Sequence, residues 1–567
     1  MLVLATTKHI CADMDEWILS GLFTLYGLTI LTYCFAVTLT ESLAYITIMS
    51  SLLTVVSVLI PNYKYLYILN QWDTSAHYGS IKATLEQGHV LEVPVYYDDY
   101  YGLPGSRILV ASISLITSFT IDDSIRMLLL AYAFLWPFII YYCSIKLRLP
   151  KNVIKWAIAL SPIVYLSKLS YTFTGTTFAF IFFVLIAYIT IITTFNPNGY
   201  LARNIVLIIV LGLTIAVSHA VTTFFTMLFM MMLATLILVT YSLRRLNKNI
   251  TPIVLITITP VILMSIVNLV YRSYYSLIPI LSNLGNFIKF ISFKAEGLPL
   301  TTIQTYKAFY TLSIMDKSKI ILVVLIRKAL ITFLAIPSIY LILRNRSRSG
   351  YPLQTFYRII SIIFIVLIAT ALLGYTYKIT VGERLFIYSQ ALSPFLIGTT
   401  LSFVVRSIHR DKSRLMRDVL VVFILFILFI ASIIETFPPM FIIPKYSTVF
   451  GKEYVYDPRI FVTIHMVDVY RYVSWFDSDL RIYVPDWCIF RFIHINRSTL
   501  VEQYFLSLIP NYAELEKRAI LVFPSSLEEY SITPSKFEYY YNAHLLALTR
   551  WGLVYNNGFW WVIPLAW

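Results

Sequence analysis

Two residues able to do acid–base chemistry, Asp73 and His77, stand four positions apart in the segment 71–88. On a helix that begins at Asp73, both side chains share one face, which Ile81 and Leu85 continue as an apolar stripe. A carboxylate and an imidazole held together can take up a proton or bind a divalent cation such as Mn or Mg. The pattern therefore predicts a catalytic or metal-binding site, although Asp73 could also simply cap the helix.

Other candidates are cations and hydrogen-bond donors that could meet the negative charge of a phosphate group. They are spread along the chain and comprise His219, Arg272, Lys294 and Arg384. Glu383, next to Arg384, is a further candidate for substrate binding. His219 stands at the end of an apolar run, where a histidine can also cap a helix or extend to the membrane surface. Glu383 and Arg384 could instead form an ion pair that closes a turn.

The elements that must position these residues are membrane helices. Of the 567 residues, 59% are hydrophobic and only 13% are charged, which a soluble globular surface does not tolerate. Runs long enough to cross a hydrocarbon core predict about twelve spans. They lie near residues 17–39, 42–60, 124–142, 151–168, 172–195, 203–218, 222–243, 251–271, 317–343, 359–375, 385–405 and 418–437.

The net charge of +15 is concentrated in the part of the chain that holds these spans. Residues 440–567 carry 12 acidic and 11 basic side chains, which leaves 17 acidic and 33 basic ones for residues 1–439. The basic residues cluster between spans, where they set orientation, so nucleic acid is not an expected partner. The clusters lie at residues 146–151, 244–248, 344–348 and 406–417, all on the cytoplasmic side if the spans alternate.

The same alternation places the candidate residues outside the cell. The predicted outer segments are residues 61–123, the turn near 171–177, His219, the loop 272–316, the turn 376–384 and the C-terminal segment. Residues 107–121 are apolar but too short for a span, which favours a helix in the outer interface.

Three parts of the chain follow from this pattern. An extra N-terminal transmembrane helix occupies residues 1–41, and a helical transmembrane domain with the external loop 61–123 occupies residues 42–439. Residues 440–567 alternate aromatic or β-branched residues with polar ones and predict a small extracytoplasmic α/β domain. The fold class is thus an α-helical polytopic plasma-membrane protein. Its four cysteines lie far apart and support neither a disulfide framework nor a cysteine-rich metal site.

An acid after an early span, a histidine one turn later and the stretch Tyr100–Pro104 resemble the first external loop of the C-type polytopic glycosyltransferases (GT-C). Residues 217–223, with Ser218, His219 and Thr222, resemble a Ser-His-x-x-Thr element of archaeal members, and residues 382–385 resemble their Glu-Arg turn. The resemblance covers roughly residues 42–260. It implies that Asp73 is the catalytic or metal-binding acid.

The resemblance also implies a function, namely transfer of a sugar from a polyprenyl (dolichyl) phosphate carrier to a glycan, lipid or protein acceptor on the outer face of the membrane. One departure concerns the second acid that members of this family commonly carry, because the matching segment 170–177 has no carboxylate. Asp122 and Asp123 are the nearest acids on that side, and individually they are expected to be solvated.

Two other functions stay open. The departure favours a non-catalytic scaffold that binds an envelope partner through its C-terminal domain. A lipid or polysaccharide transporter is less favoured, because the predicted span interiors are nearly free of ionisable groups.

Overall fold

The structure, a computed structural model, describes helical residues of the first 436 positions and strand residues near the C-terminus. These are residues 16–59, 81–82, 84–85, 88, 105–165, 175–195, 201–243, 259–264, 266–267, 328–339, 351–377, 379–411, 414–436, 481–485, 501–504, 519–524, 555–556 and 560–565.

Long α-helices make up the described part of the first 436 residues, as the apolar runs predict. They are α1 (Glu16–Leu39), α2 (Leu43–Leu59), α3 (Gly105–Thr117), α4 (Ile121–Lys146), α5 (Lys151–Tyr165), α6 (Gly175–Phe195), α7 (Leu201–Ala216), α8 (Ala220–Leu243), α9 (Tyr351–Tyr377), α10 (Ile379–Gln390), α11 (Ser393–Asp411) and α12 (Arg414–Thr436). A further helix occupies Lys328–Ile339. By length and composition alone, Ile121–Lys146 and Gly175–Thr194 are long and apolar enough to cross a membrane.

Burial on α2 includes small polar residues, while some large apolar residues of the same helix are exposed. Ser50, Ser51 and Thr54 are buried, whereas Ile48 and Leu52 are 48% and 50% exposed. Small polar residues between helices and large apolar residues outside are the pattern expected where the surrounding solvent is lipid. The burial pattern therefore agrees with the membrane assignment made from composition.

Polar contacts hold α1 in the bundle. The hydroxyl of Tyr33 donates to the carbonyl of Ala159 on α5 (2.9 Å) and lies 2.7 Å from the Ser50 hydroxyl on α2. At the C-terminal end of α1, the ammonium of Lys155 on α5 donates to the carbonyl of Thr38 at 3.3 Å and contacts the Glu41 carboxylate, just after the helix, at 3.1 Å. The predicted extra N-terminal helix thus packs directly on the transmembrane domain.

The predicted span 385–405 is wrong as a single helix, because the chain breaks between α10 and α11 at residues 391–392. Pro394 has no N–H to donate to the carbonyl of Gln390. The Ser393 hydroxyl replaces that donor at 2.9 Å, and the Tyr188 hydroxyl donates to the carbonyl of Ala391. The break is therefore satisfied by side chains inside the protein, as membrane depth requires.

The C-terminal strands form one mixed sheet. They are β1 (Arg481–Pro485), β2 (Val501–Tyr504), β3 (Ala519–Pro524), β4 (Tyr555–Asn556) and β5 (Trp560–Leu565), in the order β2-β1-β3-β5-β4. β1 runs parallel to β2 and β3, and β5 runs antiparallel to β3 and β4. Three of the strands, β1, β3 and β5, coincide with alternating stretches of the sequence. Helices of an α/β domain and its place outside the cell stay predictions, since the remaining residues of 440–567 lie outside the described ones.

Candidate active site

The turn that joins α7 to α8 is the point where the described parts of three predicted outer segments meet. The N–H of Gly105, the first residue of α3, donates to the carbonyl of Val217 in this turn at 3.0 Å. Gly175, the first residue of α6, lies against Ser218 and His219 in the same turn. These contacts agree with the prediction that residues 61–123, 171–177 and 219 share one side of the membrane.

Glycine is favoured at both contacts because neighbouring side chains leave little space for a Cβ atom. A Cβ on Gly105 would overlap the Ser218 hydroxyl, and a Cβ on Gly175 would lie 2.8 Å from Cδ2 of the His219 ring. The first residues of α3 and α6 consequently approach the turn that precedes α8 closely. Helix N-termini carry partial positive charge, so this end of the bundle favours an anion.

His219 is held by hydrogen bonds from both ring nitrogens and is only 9% exposed. The backbone N–H of Thr222 donates to Nδ1 at 3.2 Å, which makes His219 the N-cap of α8. Nδ1 must therefore carry a lone pair, and the ring proton of the neutral imidazole lies on Nε2. Nε2 is 3.1 Å from the hydroxyl oxygen of Thr176, so the Nε2–H donates to it.

The chain of hydrogen bonds continues on the other side of the ring. The Thr222 hydroxyl lies 2.8 Å from Nδ1 and 2.6 Å from the Tyr388 hydroxyl. Because Nδ1 has no hydrogen, Thr222 donates to Nδ1 and Tyr388 donates to Thr222. We call this series from Tyr388 through Thr222 and His219 to Thr176 the hydroxyl–imidazole relay. It joins α10, α8 and α6.

Aromatic packing fixes Tyr388 within the bundle. Its ring lies 4.6 Å from the ring of Phe225, 5.0 Å from Phe183 and 6.0 Å from Phe180, measured between centroids. The residue is 1% exposed, so its hydroxyl reaches Thr222 from a fixed ring.

The predicted site residues differ in how much the structure says of them. His219 is described fully, and it caps α8 as well as facing Thr176. Glu383 and Arg384 lie near the start of α10, in a helix and not in the predicted turn 376–384. Asp73, His77, Arg272 and Lys294 lie outside the described residues, and their roles stay predictions.

The acids considered as substitutes for the missing second carboxylate belong to the start of α4. The Thr120 hydroxyl accepts from the N–H of Asp123 (3.1 Å), and Asp122 is paired with Arg126 at 2.6 Å. Asp122 is only 7% exposed, so the expectation that it is solvated is wrong. Both carboxylates lie in the first turn of α4, where negative charge stabilises the positive end of the helix dipole. Within the described ranges, no three His, Cys, Asp or Glu side chains come together as a metal site.

Several polar residues at or near this end of the bundle are not singled out by sequence reasoning. Thr176 and Tyr388 escape it because hydroxyl residues are common in membrane helices, whereas Thr222 is named only as part of the Ser-His-x-x-Thr resemblance. Arg107 on α3 is 2% exposed, two residues after the glycine that contacts Val217. Lys328, within the predicted span 317–343, is 6% exposed beside the ring of Phe386.

Comparisons with known proteins identify the fold. No protein-family model matches the chain, and no curated protein is similar to it in sequence. The crystal structure of an Archaeoglobus fulgidus oligosaccharyltransferase in the apo form is 13% identical with a TM-score of 0.51. That likeness covers 81% of this chain and 64% of the other, so this chain spans less than two thirds of that protein. ArnT from Cupriavidus metallidurans, bound to undecaprenyl phosphate, is 11% identical with a TM-score of 0.34, over 92% and 99% of the two chains.

The described helices therefore share the fold of the archaeal oligosaccharyltransferase. The composition and the two helices long and apolar enough to cross a membrane support a membrane location. At this level of identity, the likeness is one of fold.

Proposed function

We propose that this protein is a membrane glycosyltransferase that moves a sugar from a polyprenyl-phosphate carrier to an acceptor on the outer face of the membrane. The observation that carries the proposal is the fold shared with the archaeal oligosaccharyltransferase. It is supported by the contact of Gly105, Gly175 and His219, which builds an anion-favouring end of the bundle from distant segments.

In this proposal Asp73 takes the proton from the acceptor hydroxyl. The acceptor oxygen then bonds to the anomeric carbon, and the bond from that carbon to the phosphate oxygen breaks with its electron pair. The products are the glycosylated acceptor and the free polyprenyl phosphate. A carboxylate beside an apolar medium is a stronger base than one in water, which suits this role. The developing phosphate charge is met by donors and cations, for which His219, Arg384, Arg272 and Lys294 are the candidates.

Asp73 and His77 could hold a Mn or Mg ion, which would supply positive charge to the phosphate. Both ring nitrogens of His219 already make hydrogen bonds, so His219 is not a fitting metal ligand in this geometry. The proposal therefore assigns any metal binding to Asp73 and His77 alone.

The first test is transfer by the purified protein. Polyprenyl-phosphate hexoses are incubated with the protein and with membranes from a strain that lacks it, and released polyprenyl phosphate is measured. We expect Asp73→Asn to lower release by about 10²-fold or more, the usual contribution of a general base. Asp98→Asn, in the same external segment, is the matched control and should behave as wild type. Full transfer by Asp73→Asn would show that the assignment of the base is wrong.

The second candidate is the non-catalytic scaffold, which the lack of an acid in segment 170–177 favours. A scaffold would release no polyprenyl phosphate with any donor, and Asp73→Asn would leave its function in the cell intact. The same two measurements therefore separate the two functions.

A further inference from the structure

The hydroxyl–imidazole relay has a direction, and it ends at Thr176. The backbone N–H of Thr222 can act only as a donor, so Nδ1 of His219 must be the acceptor. That assignment fixes the direction of the other hydrogen bonds in the relay. Tyr388 donates to Thr222, Thr222 donates to His219, and His219 donates to Thr176. The oxygen of Thr176 is thereby occupied as an acceptor, which leaves its own hydrogen to be donated.

No acceptor for that hydrogen lies among the residues that the structure describes, where the contact with His219 is the one hydrogen bond of the Thr176 side chain. Thr176 is 8% exposed, so this donor is largely removed from solvent. Leaving a buried donor without an acceptor is unfavourable, and a bound group would remove that cost. Thr176 is also the second residue of α6, where the helix N-terminus favours a negative group.

We infer that Thr176 is a binding residue for a phosphate oxygen of the lipid carrier, and that Thr222 and Tyr388 are positioning residues that act through His219. This rests on the proposed function and adds to it the residues that receive the phosphate. Donors in a series polarise one another, so a hydrogen bond from Thr176 to an anion is strengthened by the three groups behind it. Segment 170–177, where the related enzymes carry an acid, would thus offer hydrogen-bond donors.

The test measures binding of undecaprenyl phosphate to the full-length protein in detergent by native mass spectrometry. Undecaprenol, which lacks the phosphate, and inorganic phosphate are the two comparison ligands. Wild-type protein should prefer undecaprenyl phosphate to undecaprenol. Thr176→Val keeps the side-chain shape but removes the hydroxyl and should reduce this preference about tenfold, while Thr176→Ser should retain it.

The positioning residues are tested with variants that keep the packing. Tyr388→Phe and Thr222→Val should each lower the preference about two- to fivefold, Thr222→Ser should restore it, and the thermal unfolding midpoint should change little. Because Tyr388 acts through Thr176, adding Tyr388→Phe to Thr176→Val should cause no further loss. Thr190→Val is the matched control, a buried threonine on α6 that contacts Met230 and lies about 21 Å along the helix from Thr176.

The outcomes distinguish failure of the inference about Thr176 from failure of the proposed function. If wild type prefers undecaprenyl phosphate and Thr176→Val binds it equally well, the inference about Thr176 is wrong while the proposed function stands. If wild-type protein binds undecaprenol as well as undecaprenyl phosphate, both the proposed use of a lipid-phosphate donor and the inference about Thr176 are wrong. Competition by inorganic phosphate at millimolar concentration without any preference for the lipid would assign the site to free phosphate, which also overturns the inference.

Discussion

His219 combines a structural and a chemical task in one ring. Its Nδ1 accepts from the backbone N–H of Thr222 and so caps α8, and its Nε2 faces Thr176. An imidazolium would place a hydrogen on Nδ1 against the N–H of Thr222. The geometry thus favours a neutral ring that donates from Nε2, and His219 serves as a donor and not as a cation.

The two tasks of His219 can be separated by substitution. Asparagine is among the best N-cap residues, and its side-chain oxygen can accept from the N–H of Thr222 as Nδ1 does. We expect His219→Asn to unfold at nearly the wild-type temperature, and His219→Ala to lose about 1 kcal/mol of stability with the cap.

Both variants lack the Nε2–H, so both should bind undecaprenyl phosphate more weakly. Thermal unfolding in detergent and the lipid-binding measurement report the two effects independently. Equal stability of the Asn and Ala variants would contradict the capping role of the Thr222 contact.

Only part of this site could be predicted from residues alone. His219 stands out because histidine is rare in apolar sequence and follows the end of a span. Thr222 is marked by its place in the Ser-His-x-x-Thr element. Thr176 and Tyr388 do not stand out, since their role depends on the contact of α6, α8 and α10, which no local pattern encodes. Gly105 and Gly175 are the sequence signal that was available, because each begins a helix that must approach another backbone closely.

At the scale of elements, the sequence predicts where helices lie better than it predicts where a helix is interrupted. Long apolar runs mark the helices, since the hydrocarbon core sets their length. Hydropathy does not detect the break at residues 391–392, because the chain stays apolar there while the backbone hydrogen bonding changes. Ser393 followed by Pro394 is the signal for it, a helix start with a hydroxyl that replaces the lost donor.

Close approach of α5 and α11 depends on one glycine. A Cβ on Gly398 would lie 2.9 Å from the backbone nitrogen of Ala157 and 2.9 Å from the carbonyl oxygen of Val153. Neither backbone atom can move without displacing α5. We expect Gly398→Ala to lower the free energy of unfolding by about 1–3 kcal/mol, the usual cost of overpacking.

Gly27 in α1 is the matched control for this prediction, because a Cβ there would meet nothing within 4 Å. Gly27→Ala should leave stability unchanged or raise it by up to about 1 kcal/mol, since alanine favours a helix over glycine. Thermal unfolding of the two variants in the same detergent measures the difference. Similar unfolding temperatures for both would mean that α5 and α11 are not in backbone contact at Gly398.

For the whole molecule, the fold is set by span lengths and small residues between helices more than by particular side chains. A 13% identical protein with the same fold is consistent with this, since lipid-facing residues need only be apolar. Orientation follows a different rule, the retention of basic loops in the cytoplasm. The orientation of the chain in the membrane therefore requires a direct measurement of its own.

Thiol labelling tests the orientation with the native cysteines. Cys34 and Cys143 are buried in the bundle and should not react, while Cys488 belongs to the predicted extracytoplasmic segment. In a Cys11→Ser background, an impermeant maleimide should label Cys488 on intact cells. An Asn247→Cys variant, in the basic cluster 244–248, should gain a second label only after permeabilisation.

The reason for this expected result is that several basic clusters agree on one side, so reversing the molecule would place all of them outside at once. If Cys488 were protected and Asn247→Cys were labelled on intact cells, the topology would be the opposite of the predicted one. The end of the bundle that holds Thr176 and His219 would then face the cytoplasm. In that case the acceptor of the transfer would have to be cytoplasmic, and a role in modifying the outer envelope would be wrong even if the chemistry at Asp73 were right.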